Sequence, residues 1–260
     1  MGETLLEVRG LSKRYDGFRA LKKVDLSLQT GHVKGIMGPN GAGKSTLLRL
    51  LAGELEVTSG SVVFAGRAVR ELSVDRTSNL GISYMPQRPS VFPALTVEEN
   101  VRGAAQTSLI LNRTEDEPSV KTLLDLVGLG KRARVRAVEL PFGEKRLLDL
   151  AMALATKPRL LLADEPTAGV DRGSAETILG LLRDLSSPDS RGDFGLEGLI
   201  FTEHDREVLF EFPDEIGFLH AGELIVEDVP EQVKRHELVR NYLADQRNFE
   251  DFKGDVGKDA

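Results

Sequence analysis

The sequence predicts an α/β protein: a parallel-sheet core, an N-terminal antiparallel β subdomain before it, and an α-helical subdomain inserted into it. Three observations carry that reading. Leu160-Leu161-Leu162-Ala163 and Leu199-Ile200-Phe201 are unbroken apolar runs, the pattern of strands buried on both faces of a parallel sheet. Val24, Leu26 and Leu28 alternate with polar residues, as a strand with one wet face does. From about residue 88 to residue 155 the texture turns helical, after which αβ alternation resumes.

The elements follow in order. Asp16-Gly17 lies between two strand candidates and supplies a hairpin turn. The short apolar run from Val33 to Met37 leads into a glycine-rich loop and then a helical pattern, Thr46-Leu47-Leu48-Arg49-Leu50-Leu51-Ala52. Residues 61–70 and 81–85 look extended. Thr96-Val97-Glu98-Glu99 has the form of a capping box, with Thr96 accepting from the Glu99 amide and Glu99 reaching back. A second helix is expected over about 119–127, and a third after residue 143, with Leu147, Ala151 and Leu154 on one stripe. The expected division is 1–87 for the β subdomain and first part of the core, 88–155 for the helical subdomain, 156–228 for the rest of the core, and 229–260 for a C-terminal helix and polar tail, mobile from about 246.

Composition narrows the function classes. The 260 residues suffice for one large domain or two packed subdomains. A net charge of −7 argues against a dedicated nucleic-acid binder, which carries a basic stripe, so no nucleic-acid partner is expected. Zero cysteines exclude disulfides and thiolate metal sites. Met1 to Glu7 lack a signal pattern, and no apolar run approaches the roughly 18 to 20 residues of a membrane helix. Work at a membrane therefore requires a separate spanning partner.

Two motifs carry chemistry. Gly38-Pro39-Asn40-Gly41-Ala42-Gly43-Lys44-Ser45, between a strand and a helix, matches G-x-x-x-x-G-K-[ST]. Small residues let backbone amides wrap a triphosphate, and the helix that opens with Thr46 aims its dipole at the same phosphates. Lys44 is suited to the β/γ oxygens and the Ser45 hydroxyl to Mg²⁺. Leu160 to Ala163 then deliver Asp164-Glu165 at a strand's carboxyl end, where open α/β sheets place ligands. Asp164 is the candidate metal carboxylate and Glu165 the candidate general base for an attacking water. On its own an acidic pair at a strand end is more often a solvated terminus. Beside the phosphate loop it reads as the second half of a P-loop NTPase (RecA-like) site for ATP and Mg²⁺.

From residue 5 to about 245 the chain resembles an ABC (ATP-binding cassette) ATPase, with that family's motifs in the family's order. The resemblance implies an adenine-stacking role for Tyr15 and a Q-loop role for Gln87, which reaches the metal and the water. It implies a D-loop at Ala168-Gly169-Val170-Asp171, crossing a dimer interface, and a γ-phosphate switch at His204. Val91, Phe92 and Leu95 fall where the family receives a coupling helix from its membrane partner; packing in the helical subdomain is the plainer reading of the same residues. The basic run from Lys131 to Arg136 reads as solvated surface, with an anionic partner as the alternative.

The signature motif departs from the family. Where Leu-Ser-Gly-Gly-Gln is usual, this chain has Leu140-Pro141-Phe142-Gly143-Glu144. In the family that segment contacts, in trans, the nucleotide held by the other subunit, so the resemblance implies trans contacts from Pro141, Phe142, Gly143 and Glu144, and from Asp171 of the D-loop. Pro141 has neither hydroxyl nor amide N–H, and Phe142 adds bulk. The loss of one such donor implies a rate lower by about tenfold to a thousandfold. Branched-chain amino acid importers carry similar variants and use two different ATPase subunits. The resemblance therefore implies a homo- or heterodimer, integral membrane permease subunits, and a peripheral position on the cytoplasmic face of the inner (cell) membrane. The expected activity is Mg-dependent ATP hydrolysis coupled to transport, with branched-chain amino acid uptake as the leading substrate reading. A lipopolysaccharide exporter ATPase, a soluble cassette ATPase of the iron–sulfur assembly type, and a weakly hydrolysing regulatory module are the alternatives.

Overall fold

The structure is a computed structural model that describes residues 3–69, 72–110, 119–186 and 196–244. Strands β1 (Thr4–Tyr15) and β2 (Phe18–Gln29) form the expected hairpin. Tyr15 pairs with Phe18 across Asp16 and Gly17, whose φ values of 34° and 97° are both positive, as the tight two-residue hairpin requires. The inward residues Leu21, Val24, Leu26 and Leu28 are buried.

The chain continues with β3 (Val33–Met37), helix α1 (Lys44–Leu51), and strands β4 (Ser59–Phe64) and β5 (Arg67–Val69). The stretch 61–70, expected to be extended throughout, is broken into a second hairpin by Ala65 and Gly66, at φ 47° and 72°; Arg70 lies outside the described residues. These four outer strands make an antiparallel sheet in the order β2-β1-β4-β5. Helix α2 (Val74–Leu80) and strand β6 (Ile82–Met85) follow.

Helices α3 (Val97–Ile110), α4 (Val120–Leu126) and α5 (Phe142–Ala155) come next. The box at the start of α3 closes as expected: the Glu99 amide donates to Thr96 Oγ1 at 3.2 Å, and the Thr96 amide donates to Glu99 Oε2 at 2.8 Å. Buried Asn100 ties down the preceding loop, accepting from the Phe92 amide (2.7 Å) and donating to the Phe92 and Thr96 carbonyls. Val91 packs inward on the helical core while Phe92 and Leu95 stay exposed.

After α5 come β7 (Leu160–Asp164), α6 (Arg172–Ser186), β8 (Gly198–Thr202), the short helix Arg206–Glu211, β9 (Glu215–His220) and β10 (Glu223–Asp228). Helical turns over Pro230–Val233 and 237–244 close the described chain; the polar tail from about 246 lies outside it. The second sheet has the order β10-β9-β3-β8-β7-β6, parallel except for the antiparallel edge β9–β10. That edge hairpin is absent from the sequence reading.

Alternation across β7 and β8 explains why their runs are apolar throughout. Leu160, Leu162 and Ile200 enter a core shared with the antiparallel sheet and α1. Leu161, Ala163, Leu199 and Phe201 enter the opposite core with α5 and α6. Each fully buried leucine contributes about 1.5–3 kcal/mol, so both faces of this sheet stabilise the fold. Lys34 on β3 is fully buried, its charge met by Glu215 at 2.8 Å and by Glu227, which fastens the edge hairpin to the central strand.

Candidate active site

The phosphate-loop residues join β3 to α1. A Cβ on Gly38 would lie 2.0 Å from the Leu219 carbonyl oxygen, and one on Gly43 would lie 2.8 Å from both Ala20 O and Leu21 Cδ2. Both glycines have left-handed φ values, 150° and 107°, so geometry and space each demand glycine there. Lys44, 6% exposed, donates to the carbonyls of Gly38 (2.6 Å) and Pro39 (3.3 Å), which holds its ammonium over the loop. Burial lowers its pKa, and the fields of Glu165 and Asp164 oppose that shift.

A cleft of about 350 Å³ opens over this loop, lined by Tyr15, Phe18, Ala20, the residues from Asn40 to Thr46, and Glu165. It brings Tyr15, Ser45 and Glu165 to the same opening. Phe18, across the hairpin turn from Tyr15, is a second aromatic lining residue that the sequence reading omits.

Strand β7 ends in the two carboxylates. Asp164, 2% exposed, accepts from Thr202 Oγ1 at 2.7 Å and from the Tyr84 hydroxyl at 3.2 Å. Burial and then the Asp164 charge raise the Tyr84 pKa, so Tyr84 serves as a donor. Glu165 turns the other way. Its Oε2 accepts from Gln87 Nε2 at 2.5 Å, and its Oε1 lies 2.7 Å from His204 Nε2. Gln87, Glu165 and His204, distant in sequence, thus meet at one carboxylate. The loop just beyond is pinned by Glu203, which accepts from the Thr167 amide (3.1 Å) and hydroxyl.

The signature segment lies elsewhere. Pro141 precedes the first turn of α5, its carbonyl accepting from the Lys145 amide at 3.0 Å. Phe142 packs beside Gly169, and a Cβ on Gly143 would lie 2.3 Å from Ser174 Oγ. Glu144 pairs with Arg132 at 3.3 Å. Asp171 caps α6, accepting from the Ser174 hydroxyl (2.6 Å) and amide (3.0 Å); those bonds hold its carboxyl below the usual range. None of these five residues lines the cleft of its own chain.

The sequence reading also omits Arg146, Thr202 and Tyr84. Arg146 is fully buried, with its guanidinium against the backbone at the end of β7. In the fold Arg146 stands three residues after Gly143 and four before Leu150, both buried, so it lies on the inward face of α5.

The profile of a family described as ABC transporter matches residues 21–168. The chain belongs to that family. This ABC transporter ATP-binding subunit is 35% identical to an uncharacterised ABC transporter ATP-binding protein of Rhizobium meliloti, over 92% of this chain and 86% of that one. It is 32% identical to the lipopolysaccharide export system ATP-binding protein LptB of Acidithiobacillus ferridurans, over 91% of this chain and 98% of LptB. It is also 32% identical to a ribose import ATP-binding protein of Rubrobacter xylanophilus, of which it covers 46%. Among solved structures it superposes with a TM-score of 0.74 and 26% identity on a dimeric post-hydrolysis ATP-binding cassette bound to ADP and Pi, covering 87% of this chain and 99% of that one. The cassette is an ATPase. Among the described residues no helix is long and apolar enough to cross a membrane.

Proposed function

We propose that this cassette hydrolyses ATP as one half of a dimer, peripheral to the cytoplasmic face of the membrane, and drives separate permease subunits. The convergence of Gln87 and His204 on the Glu165 carboxylate, beside Lys44, carries the reading. The loop amides would hold the phosphates of ATP, the Lys44 ammonium would neutralise its β/γ oxygens, and Tyr15 would stack on its base. Glu165 accepts the proton of the attacking water, and Gln87 and His204 fix the direction of that carboxylate. The residues that would hold Mg²⁺ suit it: the Ser45 hydroxyl in the cleft, the Asp164 carboxylate held by Thr202 and Tyr84, and the amide oxygen of Gln87, whose nitrogen donates to Glu165, are hard oxygen donors of the kind Mg²⁺ takes. When bound, Mg²⁺ supplies charge neutralisation at the β/γ oxygens.

Dimerisation is supported by the position of Pro141 to Glu144 and Asp171, which do not line their own chain's cleft, and by the dimeric cassette this chain resembles. Because Pro141 offers no donor, the two composite sites of a heterodimer would be unequal; full family rates from the purified homodimer would refute that part. The Pro141-Phe142 variant supports branched-chain amino acid import. The similarity across 98% of LptB favours lipopolysaccharide export as the second reading. ATPase assays of the cassette assembled with candidate permeases separate them: stimulation by a binding protein loaded with leucine supports import, and stimulation by lipopolysaccharide alone supports export.

The deciding experiment for the site is phosphate release by the wild type and by Glu165→Gln. The variant should lose about 100-fold or more of the rate while still binding ATP. Equal rates would reject Glu165 as the base.

A further inference from the structure

Of the three side chains that meet at the carboxylate, only Glu165 has a backbone in the left-handed region, at φ 46°. That region is disfavoured for a residue with a Cβ and persists where the surroundings over-determine it. Here they do so from both sides. The Glu165 amide donates to Thr202 Oγ1 at 2.9 Å, and its carbonyl accepts from Arg146 Nη2 at 2.8 Å. The Thr202 hydroxyl in turn donates to Asp164 Oδ1 at 2.7 Å, so one hydroxyl holds the backbone of Glu165 and the side chain of Asp164.

Arg146 reaches further. Its Nη2 also donates to the Asp164 carbonyl (3.3 Å), its Nε to the Pro166 carbonyl (3.1 Å), and its Nη1 to the Pro86 carbonyl (2.5 Å). One planar fork therefore grips three successive carbonyls at the exit of β7 and the carbonyl just before Gln87, the residue that donates to Glu165 Oε2. Asp149, one turn along α5, balances the charge at 3.4 Å and accepts from the Ser90 hydroxyl at 2.7 Å, so α5 holds the 86–90 segment at both ends. A lysine ammonium lacks the fork needed to span these acceptors.

We infer that Arg146 and Thr202 are positioning residues for hydrolysis: together they lock Glu165 in the left-handed turn that aims its carboxylate at Gln87 and His204. Through Arg146 that aim depends on where α5 sits, and α5 begins at Phe142 in the signature segment. A displacement of the signature helix by a second subunit thus reaches the base of the same chain along one side chain. The inference rests on Glu165 being the general base.

The test compares wild type, Arg146→Lys, Arg146→Met, Thr202→Val, Thr202→Ser and Glu165→Gln, full chain throughout, for kcat, equilibrium ATP affinity and thermal stability. Expected is a fall in kcat of about 10- to 100-fold in Arg146→Lys, Arg146→Met and Thr202→Val, because small misplacements of a catalytic group cost rates of that order. ATP affinity should stay within about threefold of wild type, and Thr202→Ser, which keeps the hydroxyl, should recover most of the rate. The Mg²⁺ concentration for half-maximal rate should stay unchanged in Arg146→Lys, which leaves the Asp164 side chain alone. A merely structural arginine would instead lower kcat, ATP affinity and melting temperature together, and that result overturns the inference. So does wild-type kcat in the Arg146 variants while Glu165→Gln is inactive; activity in Glu165→Gln would instead sink the general-base reading. If the Arg146 variants do not fold, Thr202→Val against Thr202→Ser decides: equal rates in the two overturn it.

Discussion

The phosphate loop and the signature segment are the two regions of this cassette that the proposed mechanism assigns to the nucleotide, and they differ in completeness. At the loop every required feature is present: glycines where a Cβ would strike Leu219 or Ala20, a buried lysine over the backbone, and a carboxylate with two side-chain partners. At the signature segment the helix and Gly143 remain, but Pro141 stands where the family places a hydroxyl and an amide donor, and Phe142 covers Gly169. In the first region a side chain at Gly38 or Gly43 would strike Leu219, Ala20 or Leu21. The second presents a helix end, whose dipole survives loss of individual donors.

Three measurements break or sharpen that contrast. The largest effect is expected from Lys44→Ala. Among the described residues lining the cleft Lys44 is the only cation, and its removal should lower hydrolysis by about 100-fold or more in a phosphate-release assay. A rate within about threefold of wild type would place the phosphates elsewhere. Next, Pro141→Ser restores a hydroxyl at the start of α5 and should raise the rate of the assembled dimer about tenfold, with ATP affinity of the isolated chain unchanged. No gain would mean that the missing donor is not what limits the site. The smallest effect concerns Asp149, which joins α5 to Ser90. Burial pushes its carboxyl above the ordinary 3.8, against the Ser90 bonds and Arg146. The native chain therefore holds that proton more tightly than the unfolded one, and the resulting stability is complete below the unfolded value and lost as pH rises through the native one. Urea midpoints followed upward in pH from about 4 should fall more steeply in wild type than in Asp149→Asn, which cannot titrate.

The sequence made the core and the cleft legible because both depend on local pattern. Runs such as Leu160 to Ala163 must be apolar on both sides when two cores press on one strand, and the glycine spacing of the loop reports the approach of Leu219 and Ala20 directly. The Thr96–Glu99 box was readable for the same reason, since its partners are three residues apart. What stayed hidden depends on distant contact. Arg146 looks like one more surface charge after Lys145 until its helix is docked on β7. Thr202 closes an apolar strand and gives no sign that its hydroxyl serves both carboxylates. The β9–β10 edge escaped because Lys34 lies far in sequence from Glu215 and Glu227, and only the fold buries the lysine between the two acids.

The wall behind the phosphate loop has a consequence for how the protein is made. Gly38 rests on the Leu219 carbonyl, Ala42 accepts from the Gly222 amide at 3.0 Å, and the Tyr242 hydroxyl donates to the Gly38 carbonyl at 3.3 Å across 204 positions. A nascent chain exposes its glycine loop well before it receives the strand that braces it. Until β9 docks beside β3, Gly38 lacks the Leu219 carbonyl it rests on, so a firm grip on ATP waits for β9, and a translation product that stops short of β9 would carry the motif without that support.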